Sequence, residues 1–223
     1  MSRGKVDVRT LNVVTAEQTT RQERKQRTRQ ALVDAALRLL TDRNLASLSL
    51  REVTKEAGIV PTAFYRHFAS MDDLGIALVD ESMRTLRRMV REARKNRSSS
   101  EDVIRSSVQT LYSQVRTNED HFRFLMRERY AGTGRVRAAI ATELRLFASE
   151  LAVDLGRFDE MRAWSAEDLR MMADLIVTAM LGTVMELVDV DTADREADME
   201  IIRQARKRLR LIVIGVAGWR SEA

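Results

Sequence analysis

Leu48-Ser-Leu-Arg-Glu-Val-Thr-Lys-Glu-Ala-Gly-Ile-Val-Pro-Thr-Ala-Phe-Tyr-Arg-His-Phe68 holds two helix starts and one sharp stop in close succession. Ser49 followed three residues later by Glu52 reads as a capping box, in which each side chain satisfies a backbone N–H that the first helical turn leaves unpaired. The helix so opened turns Val53 and Ala57 inward and stops at Gly58, because glycine tolerates the left-handed backbone that ends a helix. Pro61 fits the next first turn, where its missing N–H costs nothing, and Phe64 and Phe68 fall on one face. Two short helices joined by a glycine turn, with a longer helix before them, form the arrangement that presents a second helix to the major groove of DNA. Val53, Ala57, Ile59, Phe64 and Phe68 supply the core that fixes the angle between them, which leaves Thr62, Ala63, Tyr65, Arg66 and His67 toward solvent or nucleic acid. Helix pairs of this shape also occur in proteins that touch no DNA, so geometry alone leaves both readings open.

Working outward, Leu32, Ala35, Ala36, Leu39 and Leu40 recur at helical spacing and predict an amphipathic helix from about residue 24 to 42, ending near Asn44. Residues 1–20 are polar, lack such a stripe and read as a disordered arm. Ser70 with Asp73 is a second capping box, opening a long helix from about 71 to 96. Further amphipathic stretches follow at roughly 101–117, 119–130, 135–157, 166–189 and 194–220, which brings the count to nine helices. The single proline and the abundance of Ala, Leu, Arg and Met suit helices throughout. The predicted fold is all-α, with a three-helix helix-turn-helix domain over 21–75 and a larger helical domain over 76–223.

Composition narrows the chemistry. The 223 residues carry 38 Lys+Arg against 33 Asp+Glu, a formal net charge of +5 that favours an anionic partner. Cysteine is absent and histidine occurs twice, so no disulfide or thiolate metal site can form and two histidines alone make no zinc site. No nucleophile elbow or phosphate loop is present, which argues against an acyl-transferring or hydrolytic enzyme. The reading therefore assigns no catalytic residue, no metal and no cofactor. The longest late apolar run, Leu211 to Trp219, is too short to span a bilayer and no signal-peptide pattern opens the chain. A soluble, cytoplasmic protein with no membrane contact is expected.

The segment from Leu48 to Phe68 resembles the DNA-binding signature of the TetR family in the spacing of Gly58 to Tyr65 and Phe68, and the nine helices agree with that family's architecture. Ser49-Leu-Arg-Glu-Val, Pro61-Thr-Ala-Phe-Tyr-Arg-His-Phe, Asp72-Asp-Leu-Gly, Val79-Asp-Glu-Ser and Phe124-Leu-Met-Arg-Glu-Arg are most similar to its fatty-acid regulators FabR and DesT. The resemblance implies a homodimeric repressor on a palindromic operator in double-stranded DNA. Its implied ligand is small and apolar, a fatty-acyl thioester on coenzyme A or acyl carrier protein. Carried over by position, Arg51 reaches a guanine edge, which a guanidinium fork fits, while Thr62 and Ala63 meet base edges or thymine methyls. Tyr65, Arg66 and His67 hold phosphates, with Ser49 adding its hydroxyl or helix-start N–H. Each has a plainer alternative: Arg51 as a solvated helix residue, Tyr65 packed on the first helix, His67 capping a helix end. Many members grip phosphate with a lysine at the start of the fourth helix. Here Met71, Asp72 and Asp73 stand there, so that contact is dropped.

Two basic features remain. Arg21, Arg24, Lys25, Arg27 and Arg29 cluster at the start of the first helix, either along phosphates or as a solvated tail. Arg84, Arg87, Arg88, Arg91, Arg94 and Arg97 form a stripe whose far end, at about 1.5 Å per residue, lies some 35 Å from its helix start. That stripe is either a solvated face or a seat for coenzyme A phosphates or a carrier protein. Arg123, Arg127, Glu128 and Arg129 read as an internal ion network or as a functional group. The stretch 166–189 is apolar around much of its circumference, which calls for neighbours on more than one side and suggests a dimer interface completed by the last helix. Within it Met171, Leu175 and Met180 are candidate ligand contacts, because methionine adapts to irregular apolar shapes. Only six Phe, three Tyr and two Trp occur, which favours an aliphatic ligand over the drug or other hydrophobic metabolite that relatives sense.

Overall fold

The computed structural model describes the backbone of residues 8–94 and 99–221, and the side chains of all of these except 8–20, 85, 88–94 and 100. Among the described residues there is no strand. Among these residues nine α-helices follow one another: α1 Val8–Leu39, α2 Leu50–Glu56, α3 Pro61–Phe64, α4 Met71–Arg94, α5 Ser100–Thr117, α6 Glu119–Ala131, α7 Gly134–Leu155, α8 Ala166–Asp189 and α9 Arg195–Val216. This is the all-α, nine-helix architecture the sequence predicts, and α5 to α8 begin and end within two residues of expectation. Two short 3-10 turns, Leu45–Ser47 and Asp159–Met161, were not anticipated.

The first helix departs from the sequence reading. It begins at Val8, so residues 8–20, expected as part of an irregular arm, are helical; residues 1–7 lie outside the described residues. An apolar stripe is needed only where a helix packs. Once the buried turns around Leu32, Val33 and Ala36 nucleate α1, extension through a stretch free of Gly and Pro adds one hydrogen bond for each residue fixed.

Local chemistry sets the remaining ends. Ser49 N donates to Glu52 Oε2 at 2.8 Å and Glu52 N to Ser49 Oγ at 3.3 Å, completing the capping box of α2. Gly58 takes φ +66°, the left-handed turn that ends α2 and admits α3. Ser99, Ser165 and Asp194 cap α5, α8 and α9 through bonds of 3.2, 3.1 and 3.0 Å.

Leu32, Val33, Ala36 and Leu40 of α1, Val53 of α2, Phe64, Phe68, and Leu74 and Leu78 of α4 form the core of the head. That core does not stop near residue 75, where sequence alone placed a border: Phe124 and Leu125 of α6 and Val136 and Ile140 of α7 belong to the same cluster. Gly75 makes the close approach possible, since a Cβ there would overlap the Leu45 side chain and crowd Val136. Beyond the head, α8 packs through Met172, Ala173, Val177, Val184, Leu187 and Val188 among α5, α7 and α9. By length and mean hydropathy, 1.7, α8 is apolar enough to cross a membrane, unlike the shorter run the sequence reading singled out. Its seven buried residues and its neighbours give it the place of a core helix.

Candidate functional site

The head exposes most of the residues expected to meet DNA. Arg51, Thr62 and Arg66 are exposed, and Tyr65 is 65 % exposed, with its ring edge-on to the buried Phe64 at 5.7 Å. Tyr65 is therefore not packed away on α1. Ala63 and His67 are half-buried. The seat beneath them is aromatic: Phe64 and Phe68 lie 5.6 Å apart and the Arg29 guanidinium stands 4.7 Å from the centre of the Phe68 ring. Arg29 thus braces the head, whereas Arg21, Arg24, Lys25 and Arg27 are exposed along α1.

Two residues differ in detail from expectation. The Ser49 hydroxyl, expected on a phosphate, sits 2.8 Å from Glu52 Oε2 inside the capping box. The Ser49 N–H, then the Arg43 side chain, hold the Glu52 carboxyl down at about 2. A proton committed to that carboxylate is not available to DNA. His67 Nδ1 is buried without a hydrogen-bond partner, and burial followed by the nearby Lys25, Arg29 and Arg66 charges pushes the imidazole below its ordinary value. At neutral pH His67 is uncharged and offers a hydrogen bond rather than a cation.

The expected ion network on α6 resolves into separate contacts. Arg123 pairs with Glu119 through a bond of 2.9 Å, and the Arg129 guanidinium lies 5.6 Å from the Tyr130 ring centre. Arg127 reaches the chain reversal after α1, donating to the carbonyls of Leu40 and Arg43 at 2.8 Å each and of Thr41 at 3.1 Å. Those carbonyls lie just past Leu39, the last residue of α1, in the loop that follows it. Glu128, fully buried, accepts from Leu45 N, and burial pushes its carboxyl above the ordinary value. Together they fasten α6 to the head.

Behind the head a cavity of about 980 Å³ is walled by α4, α5, α7, α8, α9 and the Asp159–Met161 turn. Met83, Leu86, Leu111, Phe147, Leu181 and Val213 typify the wall, and the polar lining is Ser107, Glu150, Asp154, Arg157 and Glu160. Of the three candidate ligand contacts, Met180 lines this cavity. Met171 and Leu175 do not: they are 40 % and 52 % exposed on the outside of α8. Hydrophobic periodicity identifies the inward face of a helix but not which inward residues border a void, so the contributions of α4, α5, α7 and α9 were missed.

An exposed apolar strip runs over α8 and α9, where Met185 joins Met171 and Leu175, and Leu211 and Ile214 are 72 % and 70 % exposed. A Cβ at Gly182 or Gly215 would meet nothing within 4 Å. In the arginine stripe, Arg84 pairs with Asp80 and the half-buried Arg87 with Glu143 at 2.8 Å; the side chains of Arg88, Arg91 and Arg94, and the whole of Arg97, lie outside the described residues.

Comparison with known proteins agrees with this layout. The family described as bacterial regulatory proteins, tetR family, matches residues 32–78, and the tetracyclin repressor-like C-terminal domain matches residues 100–211. Among solved structures, the fatty acid degradation regulator FadR from Bacillus halodurans is similar at a TM-score of 0.67 and 17 % identity, over 87 % of this chain and 97 % of that one. FadR from Bacillus subtilis, solved in complex with stearoyl-CoA, gives 0.68 and 17 % over 83 % and 98 % of the two chains. AibR, solved with isovaleryl coenzyme A and operator DNA, gives 0.62 and 18 % over 80 % and 96 %. At these identities the likeness is one of fold. The two matched domains, in this order and on this helical frame, make the chain a member of the TetR family: a helix-turn-helix, DNA-binding transcriptional regulator and not an enzyme.

Proposed function

We propose that this regulator is a homodimeric cytoplasmic repressor that binds a palindromic operator and responds to a fatty-acyl ligand, an acyl thioester, in the control of fatty acid synthesis or desaturation genes. The observation that carries the ligand class is the cavity, about 980 Å³ with a wall made chiefly of aliphatic side chains. The FabR- and DesT-like motifs around α2, α3 and α6 support the same class, as do folds shared with FadR and AibR, which were solved with acyl-CoA ligands.

The apolar strip of α8 and α9 suits a second copy, since exposed apolar area of this kind is costly unless covered. Arg51 reads a guanine edge, Thr62 and Ala63 face bases, and Tyr65, Arg66 and His67 set the register on phosphates, while both Ser49 donors stay with Glu52 in the capping box. Ligand entry acts on α4, whose Met83 and Leu86 line the cavity while Leu74 and Leu78 sit in the head's core. A ligand that fits one spacing of the paired heads better than the other shifts operator affinity by that difference. Native mass spectrometry, looking for a dimer with a co-purified lipid, and selection of bound duplexes from a random library test this. The expected result is a dimer, a palindromic consensus and strongly salt-dependent binding. A chain that stays monomeric and ignores every duplex in dilute salt overturns the proposal.

A further inference from the structure

We propose that Val60, at the start of α3, packs against the C5-methyl group of a thymine in each operator half-site, and that this contact makes the regulator select thymine there. The inference rests on the base-facing placement of α3 proposed above and names the feature of the base that its first residues select.

Between Glu56 and Arg66 no residue carries a charge, in a protein of which 32 % of residues do. Ile59 packs against the core of the head, whereas Val60 is 65 % exposed, and Pro61 and Thr62 beside it are exposed as well. A single exposed valine on a protein surface is ordinary. This one stands at the N-cap of the reading helix, where it offers no side-chain oxygen to the backbone. By contrast α2, α5, α7, α8 and α9 each begin on a Ser, Thr or Asp whose side chain accepts a backbone N–H. Valine is among the poorest residues for that place, and serine would stabilise the helix start. Neither capping nor packing within the chain accounts for the isopropyl group, so its use lies in what the head meets.

The bonding groups at the start of α3 decide the partner. From Val60 to Ala63 the side chains hold one hydrogen-bonding group, the Thr62 hydroxyl, and Pro61 has no backbone N–H to add. The remainder is methyl and methylene surface, which cannot match the donors and acceptors that mark guanine, cytosine and adenine in the major groove. Thymine presents the one apolar group in that groove, its C5-methyl. Covering it with the Val60 side chain removes apolar area of both partners from water.

Selection of bound duplexes from a random library by the full-length protein supplies the operator for the test. Each of its thymines is then replaced by deoxyuridine, singly and in symmetry-related pairs; this keeps every hydrogen-bonding group of the base and loses only the C5-methyl. Gel shifts should show one position in each half-site where the replacement weakens binding about three- to fivefold, and about ten- to twentyfold when both half-sites carry it. In Val60→Ser, deoxyuridine at that position should weaken binding by less than about twofold, and the variant should melt no lower than wild type because serine caps the helix better. An operator indifferent to deoxyuridine at every thymine, or the same thymine preference in Val60→Ser as in wild type, overturns the inference while operator binding stands. A lower melting temperature for Val60→Ser would give the valine a role in folding and overturns it as well. A protein that enriches no duplex overturns the base-facing placement of α3, and this inference with it.

Discussion

Glu128 Oε1 lies 2.7 Å from the backbone N of Leu45, on a side chain with no solvent exposure, and so joins α6 to the turn that follows α1. The second oxygen, Oε2, is buried without a partner, which favours the protonated acid. Burial, opposed by the Leu45 N–H and Arg127, raises the carboxyl above its ordinary 4.5. In the pH range between 4.5 and the raised value the folded chain therefore binds more protons than the unfolded chain, and stability falls as pH rises through it. Glu128→Gln keeps an acceptor for Leu45 and cannot ionise, so its stability should lack this downward slope. Glu128→Ala also lacks the slope but strands the Leu45 N–H, so it should be less stable than Glu128→Gln by about 2 kcal/mol at every pH. Urea unfolding of the three proteins across that range measures both effects; parallel curves for wild type and Glu128→Gln would contradict the assignment.

Arg127 spans three carbonyls with one planar fork, and an ammonium on a single stem does not match that geometry. Arg127→Lys should therefore behave nearly as badly as Arg127→Ala, each losing about 2 to 3 kcal/mol, because charge alone is not what the site uses. Thermal melts of the two variants provide the comparison, and a fully stable Arg127→Lys would show that charge suffices.

Arg51 is exposed on α2, so its removal should leave folding untouched. Arg51→Ala is expected to weaken operator binding by about 1 to 3 kcal/mol and to relax the preference at one base pair in each half-site. Gel shifts against operators carrying each of the four bases at that position read the effect. Unchanged discrimination would leave Arg51 a phosphate contact or a bystander.

Leu211 and Ile214 stand exposed on α9 beside Gly215. Ile214→Glu should leave the monomer folded, because the side chain touches little within its own chain, and should drive the protein from dimer to monomer with loss of tight operator binding. Sedimentation velocity and circular dichroism together separate this from unfolding. A dimer of unchanged stability would place the subunit contact elsewhere.

The local signals in this sequence translated well into structure where they depended on neighbours a few residues apart. Ser49 with Glu52, Gly58 and Pro61 fixed the starts and stop of α2 and α3 because caps, left-handed turns and proline act within one turn of helix. Features made by distant segments were not legible. Arg127 and Glu128 looked like members of an ion network, yet their partners are backbone groups more than eighty residues away in sequence. Met171, Leu175 and Met180 share one apolar helix, and only the packing of α4, α5, α7 and α9 around α8 decides that Met180 meets the cavity while the other two face outward. The helical stretch 8–20 escaped notice because extension of an existing helix needs no hydrophobic pattern.

Because Phe124, Leu125, Val136 and Ile140 are embedded in the core of the head, the DNA-reading end is no detachable cartridge. A fusion engineer who grafts residues 1–78 onto another sensor would strip Phe124, Leu125, Val136 and Ile140 from that core and forfeit the clasp made by Arg127. Interchange of specificities in this protein would have to carry the facing surfaces of α6 and α7 along with the reading helix, or exchange only the solvent-facing side chains of α2 and α3.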